Sequence, residues 1–410
     1  MMEYVILGNG IAGVCAAETI RGLDSEGSIR MVADEPVTPY SRPMISMVLA
    51  GEVSEDKLPI RNRTFFKDLN IKPVLGNRVT GIDVDKKEVM VQNGASLAFD
   101  KLLIATGADP RPIKAEGMDR KNIFYMRTQA HVQEMLKVLP DVRKALVLGG
   151  GLVGFKAAYA LMQRGLEVSM LITSGYPLSM QVDEAAGGMI RKELEKFGLN
   201  VTVGMSVEAF EGEGAVTGAI LSDGTHASCD LVVVGKGVRP ACSFVPGDQI
   251  DKDLGIVVNE YMETSVRDVF AAGDVAESMD ISRQEPWINA IWPEAVAQGR
   301  VAGANMAGRQ VPYKGSLSRN VMRIFDLDLM TMGLVNPPPD SEFEVITAHD
   351  QRRKTYRKLV FRQDILVGAV LINNIDQGGI FMGLIHNEVP LHIPKSLLAE
   401  PTFNFKQLVI

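Results

Sequence analysis

One pattern, a strand followed by a glycine turn and a helix, occurs twice in this chain and restricts its fold more than any other feature. Tyr4-Val5-Ile6-Leu7 runs into Gly8-Asn9-Gly10-Ile11-Ala12-Gly13, and Ala145-Leu146-Val147-Leu148 runs into Gly149-Gly150-Gly151-Leu152-Val153-Gly154. In a G-x-G-x-x-G turn the first glycine permits the tight bend. The second lets a phosphate approach bare backbone, and the third lets helix and strand pack closely. Ala16-Ala17 and Ala157-Ala158 then continue into helices of small residues. The free N–H groups and positive dipole end of each new helix face a pyrophosphate. Two such turns imply two nucleotide-binding domains, each able to hold a dinucleotide.

The two units differ at the end of their second strand. The first (Ile29 to Ala33) ends in Asp34, roughly twenty residues past the turn, where an acid can accept hydrogen bonds from a ribose. The second (Val168 to Ile172) ends in Thr173-Ser174-Gly175. No carboxylate there selects a bare 2'-hydroxyl and no arginine selects a 2'-phosphate, so NADH is favoured without excluding NADPH.

The chain's 410 residues exceed what one core serves, and 46% hydrophobic with 23% charged residues describes a globular protein of two or three domains. A net charge of -7 argues against nucleic acid or an acidic membrane as the main partner. No apolar run approaches the roughly 18 to 20 residues of a membrane span. The first strand begins at Tyr4, leaving no room for a signal peptide, and a cytoplasmic location is expected. Cys15, Cys229 and Cys242 form no C-x-x-C pair, and the five histidines show no ligand spacing. Neither a disulfide framework, a resident cluster nor a metal site is therefore expected, and Cys15 reads as a packing residue.

Between the turns, Pro39 and Pro43 fix the backbone around Arg42, which reaches a phosphate or a ring system or simply sits in a solvated loop. Leu58 to Leu69 reads as a helix, Arg78 to Asp83 and Glu88 to Val91 as strands, and Asn93-Gly94 as a turn. The strand Lys101 to Ala105 stops at Thr106-Gly107. Further on come a helix from Gly187 to Phe197, a turn at Asp223-Gly224, and a fully apolar strand Leu231 to Val234 ending in Gly235-Lys236-Gly237. The strand Asp268 to Ala272 ends at Gly273-Asp274, the crevice edge where open α/β sheets bind ligands. A helix from Ala295 to Ala307 is rich in glycine and alanine, suited to close packing on something flat or on another helix. Strands then dominate, with a helix at Gly378 to Ile385; the basic run Arg352-Arg353-Lys354 with Arg357-Lys358 reads equally as solvated or functional. The fold class is thus α/β: two nested Rossmann-like dinucleotide-binding domains plus a C-terminal α+β domain. The expected boundaries are 1–112 with 246–312, 113–245, and 313–410.

These motifs, with Gly237-Val238-Arg239-Pro240 and Phe270-Ala271-Ala272-Gly273-Asp274-Val275, resemble the FAD-dependent pyridine-nucleotide oxidoreductase family. Glu35-Pro36, Pro39-Tyr40, Arg42-Pro43 and Trp292-Pro293 with Ala295 are similar to the branch holding rubredoxin and ferredoxin reductases and the flavin end of nitrite reductase. The chain also resembles the FAD subunits of anaerobic 2-oxoacid and tungsten aldehyde oxidoreductase complexes. The resemblance implies FAD in the first unit, held by Gly8, Gly10, Ile11, Ala12, Gly13, Asp34, Glu35, Arg42, Pro43, Val79, Ala105, Thr106, Gly107, Arg127, Gly273, Asp274, Trp292, Pro293 and Ala295. It implies NAD in the second, held by Gly149, Gly151, Leu152, Val153, Gly154, Thr173 and Gly237.

The implied activity is an NAD(P)H oxidoreductase exchanging a hydride between nicotinamide and flavin. Its implied partner is an iron–sulfur electron-transfer protein or a multi-subunit redox complex, with oligomeric state left open. Small-molecule reduction of oxygen, nitrite or a quinone, and redox sensing, are the alternatives. Where disulfide- and peroxide-reducing relatives carry cysteine, Thr38 to Ala50 has none, so a thiol relay is not expected. Where many members pair a lysine near the flavin with a glutamate, this chain has Met47 and Lys156. Lys156 either stabilises negative charge on the reduced flavin or extends to water from a helix flank.

Overall fold

The structure, a computed structural model, describes residues 1–339 and 342–408. The chain divides into two compact units. The first comprises Met1–Ser41, Leu58–Asp109 and Arg239–Ser318; the second comprises Arg42–Lys57, Pro110–Val238 and Arg319–Ile410.

Each unit contains a five-stranded parallel sheet. In the first the order is Val269–Ala271, Lys101–Ile104, Glu3–Leu7, Ser28–Ala33, Ile71–Leu75. In the second it is Ile123–Tyr125, Leu231–Val234, Lys144–Leu148, Glu167–Ile172, Asn200–Val203. The strand before each glycine turn lies at the sheet centre, and its residues are almost wholly buried because both faces are covered. Each fold also carries a three-stranded antiparallel sheet, Val79–Asp83 with Glu88–Val91 and Ser96–Ala98, or Val207–Glu211 with Gly218–Leu221 and His226–Ser228. Asn93-Gly94 and Asp223-Gly224 close the matching hairpins. Both glycines have positive φ, and the Asn93 and Asp223 side chains each accept a hydrogen bond from a backbone N–H two residues on, at 3.0 Å. An aspartate opens each return strand: Asp100 accepts from Glu3 N at 2.8 Å, and Asp230 from Lys144 N at 2.9 Å.

Several expected elements shift. Only Phe65–Asp68 of the expected 58–69 helix is α-helical. Leu58 accepts from Ser41 N and Pro59 bridges to Tyr40, which holds that stretch extended. The helix expected from Gly187 spans Glu184–Lys196, because Asp183 caps it by accepting from Ala186 N at 3.2 Å. The glycine- and alanine-rich helix spans Trp292–Met306, with Pro293 in its first turn. It packs against the helix Ile11–Leu23: a Cβ at Gly303 would lie 2.6 Å from the Ala16 carbonyl oxygen, and one at Gly299 would overlap that of Ala12.

The C-terminal part of the second unit is an antiparallel sheet, Arg319–Ile324, Leu327–Gly333, Ile365–Ile372, Thr355–Arg362, Phe343–Asp350, with the helix Gly378–His386 against it. The strand at Arg319 escaped the sequence reading because its residues are half exposed. Within the unit this sheet joins the dinucleotide fold through its helix Glu184–Lys196. Phe197 stacks on Phe325 at 4.3 Å, and Asp183 meets Tyr356 at 2.6 Å and Lys358 at 3.2 Å. The basic run is therefore split: Arg352 to Lys354 lie exposed on a hairpin, whereas Arg357 and Lys358 are 5% and 7% exposed on opposite strand faces.

Candidate functional site

Both glycine turns are built the same way. Gly8 and Gly149 have φ of 113° and 109°, a region open mainly to glycine. A Cβ on Gly8 would overlap the Ala105 carbonyl, and one on Gly149 the carbonyl of Gly235, so each turn is pressed against the end of its return strand. Gly13 and Gly154 likewise face the carbonyls of Gly8 and Gly149. Gly10 and Gly151 have open space within 4 Å of where a Cβ would lie, which leaves room for a ligand.

The helix starts complete the cradles. Gly10 and Gly151 are N-caps without a side-chain cap. The first inward backbone bonds are Val14 N to Gly10 O at 3.0 Å and Phe155 N to Gly151 O at 2.9 Å. Among the described residues, the N–H groups of Ile11, Ala12, Gly13, Leu152, Val153 and Gly154 have no acceptor. Three aimed donors beside open space at a positive helix end fit a pyrophosphate.

In the first unit the neighbouring residues converge on this turn. Asn9 ties it to the next loop, donating from Nδ2 to Val37 O at 2.8 Å. Asp34 is exposed at its strand end, and its carboxylate has no protein partner among the described residues, as a ribose acceptor requires. Glu35 instead accepts from the Tyr40 hydroxyl at 2.9 Å. Thr106 Oγ1 donates to Ala241 O at 2.7 Å, and Gly107 O accepts from Ala241 N at 3.0 Å. Gly273, with φ of 82°, donates its N–H to Gln298 Oε1 at 2.8 Å, and its Cβ position lies 3.2 Å from Ala12 Cβ. Asp274 and Trp292 are half-buried, Pro293 is exposed and Ala295 is buried. Val79 is 9% exposed within the core. Three expected residues, Arg42, Pro43 and Arg127, belong to the second unit, where Arg42 Nη1 donates to Arg127 O at 3.2 Å.

In the second unit, Thr173 is exposed at its strand end. Gly237 has φ of 86° and accepts from Arg111 N at 3.0 Å. Lys156 is exposed on the helix Leu152–Gln163 and has no hydrogen-bond or ion-pair partner among the described residues. Desolvation nevertheless pulls its pKa below the ordinary lysine value. A residue missed in the sequence also appears here: Lys236 donates from Nζ to Thr173 Oγ1 across 63 positions of chain, a separation that no local motif signals. Burial raises the pKa of all three thiols, that of Cys229 to about 12, which keeps them protonated and poor as nucleophiles. Among the described residues there is no metal-ligand cluster and no helix long and apolar enough to cross a membrane.

Residues 2–299 match the family described as "Pyridine nucleotide-disulphide oxidoreductase", and residues 319–389 match "Rubredoxin NAD+ reductase C-terminal domain". The chain is 29% identical over 391 residues to the nitrite reductase [NAD(P)H] of Bacillus subtilis, covering 95% of this chain and 48% of that protein. It is 30% identical to the NADH-dependent phenylglyoxylate dehydrogenase subunit epsilon of Aromatoleum evansii, covering 93% of this chain and 91% of the subunit. The crystal structure of the covalent putidaredoxin reductase–putidaredoxin complex superposes with a TM-score of 0.90 at 25% identity, covering 100% of this chain and 98% of the other. The chain spans about half the length of the first curated relatives it matches. The twin cradles thus have the family extent that their geometry calls for, and the chain belongs to the pyridine nucleotide-disulphide oxidoreductase family, whose members depend on FAD and NAD(P)H.

Proposed function

We propose that the chain is an FAD-dependent NAD(P)H oxidoreductase that passes electrons to or from a separate iron–sulfur protein or a larger redox complex. The observation that carries this reading is the pair of uncapped glycine cradles in one chain, with no cysteine between Thr38 and Ala50 to relay electrons as thiol. The C-terminal match to a rubredoxin NAD+ reductase domain and the superposition on a reductase bound to its protein partner support an external acceptor. Residues 1–112 with 246–312 are assigned to FAD, 113–245 to NAD(P)H, and 313–410 to the C-terminal domain.

When bound, the two cofactors supply hydride exchange between nicotinamide and flavin. The N–H groups of Ile11 to Gly13 hold the FAD pyrophosphate and Asp34 accepts from its adenosine ribose. Ala105, Thr106, Gly107, Gly273 and Asp274 line the dinucleotide, and Trp292 to Ala295 present backbone to the ring system. Glu35, Arg42, Pro43, Val79 and Arg127 complete that set. The N–H groups of Leu152 to Gly154, with Thr173 and Gly237, receive the pyridine nucleotide. The Lys156 ammonium, partly desolvated and without a partner among the described residues, would offset negative charge on the flavin. A cytoplasmic location suits both the NAD(P)H supply and three unpaired cysteines.

The test is gentle purification of the native protein, identification of what accompanies it, and assay of NAD(P)H-linked reduction of that companion. Electron transfer to an iron–sulfur companion is the expected result. The match to a nitrite reductase favours one second reading, direct reduction of a small molecule, and rapid NAD(P)H oxidation with no protein partner would put it first.

A further inference from the structure

The ends of three adjacent strands frame the second glycine turn. Leu148, which leads into the turn, pairs in register with Leu171 on one side and Val234 on the other. Thr173 and Lys236 therefore leave the sheet at the same level, on the two strands flanking the turn. Gly235 lets the return strand come close, since a Cβ there would lie 2.7 Å from Gly154 Cα. From that point the Lys236 side chain reaches Thr173 Oγ1, and no carboxylate pairs with it among the described residues. Ser174, next in the chain, has its hydroxyl turned to Tyr176 O, to which it donates at 3.0 Å.

A dinucleotide on a βαβ fold sets its adenosine ribose at the end of the second strand. An acid there accepts from a bare 2'-hydroxyl and repels a 2'-phosphate, whereas a cation attracts the phosphate. We infer that Lys236, together with Thr173, forms a 2'-phosphate subsite, so that the second cradle prefers NADPH over NADH. This rests on the reading that the second cradle takes a pyridine dinucleotide, and it reverses the NADH preference drawn from residues 173–175 alone. The partial burial that lowers the Lys236 pKa also strengthens its attraction for an anion through the lower local dielectric.

The test is calorimetric titration of the FAD-loaded protein, its flavin first reduced so that hydride transfer adds no heat, with adenosine 2',5'-bisphosphate and adenosine 5'-phosphate, and with NADPH and NADH. The native protein is expected to bind each 2'-phosphorylated ligand at least about tenfold more tightly than its counterpart, the scale of one charge-assisted pair. Lys236→Met should erase that difference while changing adenosine 5'-phosphate and NADH affinity less than about twofold, and Lys236→Arg should retain it. Equal loss for both ligand types would assign Lys236 to the pyrophosphate and overturn the inference, as would a native preference for NADH. If the native protein binds neither NADH nor NADPH, the cradle reading itself falls, a result distinguishable from loss of selectivity alone.

Discussion

The two glycine cradles are near copies in backbone and opposites in charge. Each has a central apolar strand, a first glycine at φ near 110°, a third glycine pressed on the first, and three N–H donors at the helix start without an acceptor among the described residues. Each return strand is opened by an aspartate bonded to the backbone at the start of the central strand. At the end of the second strand they part: Asp34 presents a carboxylate without a partner among the described residues in the first, while Thr173 holds the Lys236 ammonium in the second. Phosphate recognition is thus a property of backbone and can be duplicated, whereas ribose recognition rests on a few side chains that diverge without disturbing the turn.

The strongest way to break the correspondence is at the first glycines. Gly8→Ala and Gly149→Ala each force a Cβ onto a carbonyl at a φ that alanine avoids, at an expected cost of roughly 3 kcal/mol. Gly8→Ala should yield protein lacking flavin absorbance. Gly149→Ala should stay coloured while losing pyridine-nucleotide binding in titration. Loss of colour in both would show that the cradles do not act separately.

At the strand end, Asp34→Ala removes a charged acceptor and should weaken FAD by about ten- to hundredfold, equivalent to roughly 1.5–3 kcal/mol. Equilibrium dialysis of the apoprotein with FAD measures this, and unchanged affinity would shift the ribose contact to Glu35. Lys156→Met should lower the flavin midpoint potential by about 30 mV, or roughly 1.4 kcal/mol for two electrons. A spectroelectrochemical titration showing no fall would leave Lys156 as a solvated lysine.

The smallest effect concerns the first sheet alone. Burial would raise the Asp268 pKa, but hydrogen bonds from Lys101 and from Lys87 at 3.1 Å outweigh it and hold the carboxyl below its ordinary 3.8. A lowered folded pKa stabilises the fold above 3.8, and that contribution disappears as pH falls through the lowered value. Asp268→Asn should therefore cost under about 1 kcal/mol at neutral pH, a salt-screened amount, and nothing once the pH is below the lowered pKa. Chemical denaturation at the two pH values provides the comparison.

Most of the α/β framework was legible because its signals are local. Apolar runs such as Leu231 to Val234, hairpin pairs such as Asn93-Gly94, and the G-x-G-x-x-G spacing each lie within a few consecutive residues. The misread stretches were governed by distant partners. Pro59 is extended because Tyr40 bridges to it, and Arg357 is buried because its strand face lies under Leu398 and Glu400, whose carbonyls it bonds at 2.6 and 3.0 Å. The helix Trp292–Met306 showed its small residues plainly, but their target, the helix Ile11–Leu23, could not be named before the chain was folded.

The sequence by itself determined that two G-x-G-x-x-G turns exist, where they begin, and that one ends its second strand with an acid and the other does not. A turn of this kind is fixed by the φ angles and steric limits of six contiguous residues. Only the tertiary structure decided what stands opposite the missing acid. Strand order and register carry Lys236 to Thr173, and a long flexible side chain then completes a contact that no spacing along the chain encodes.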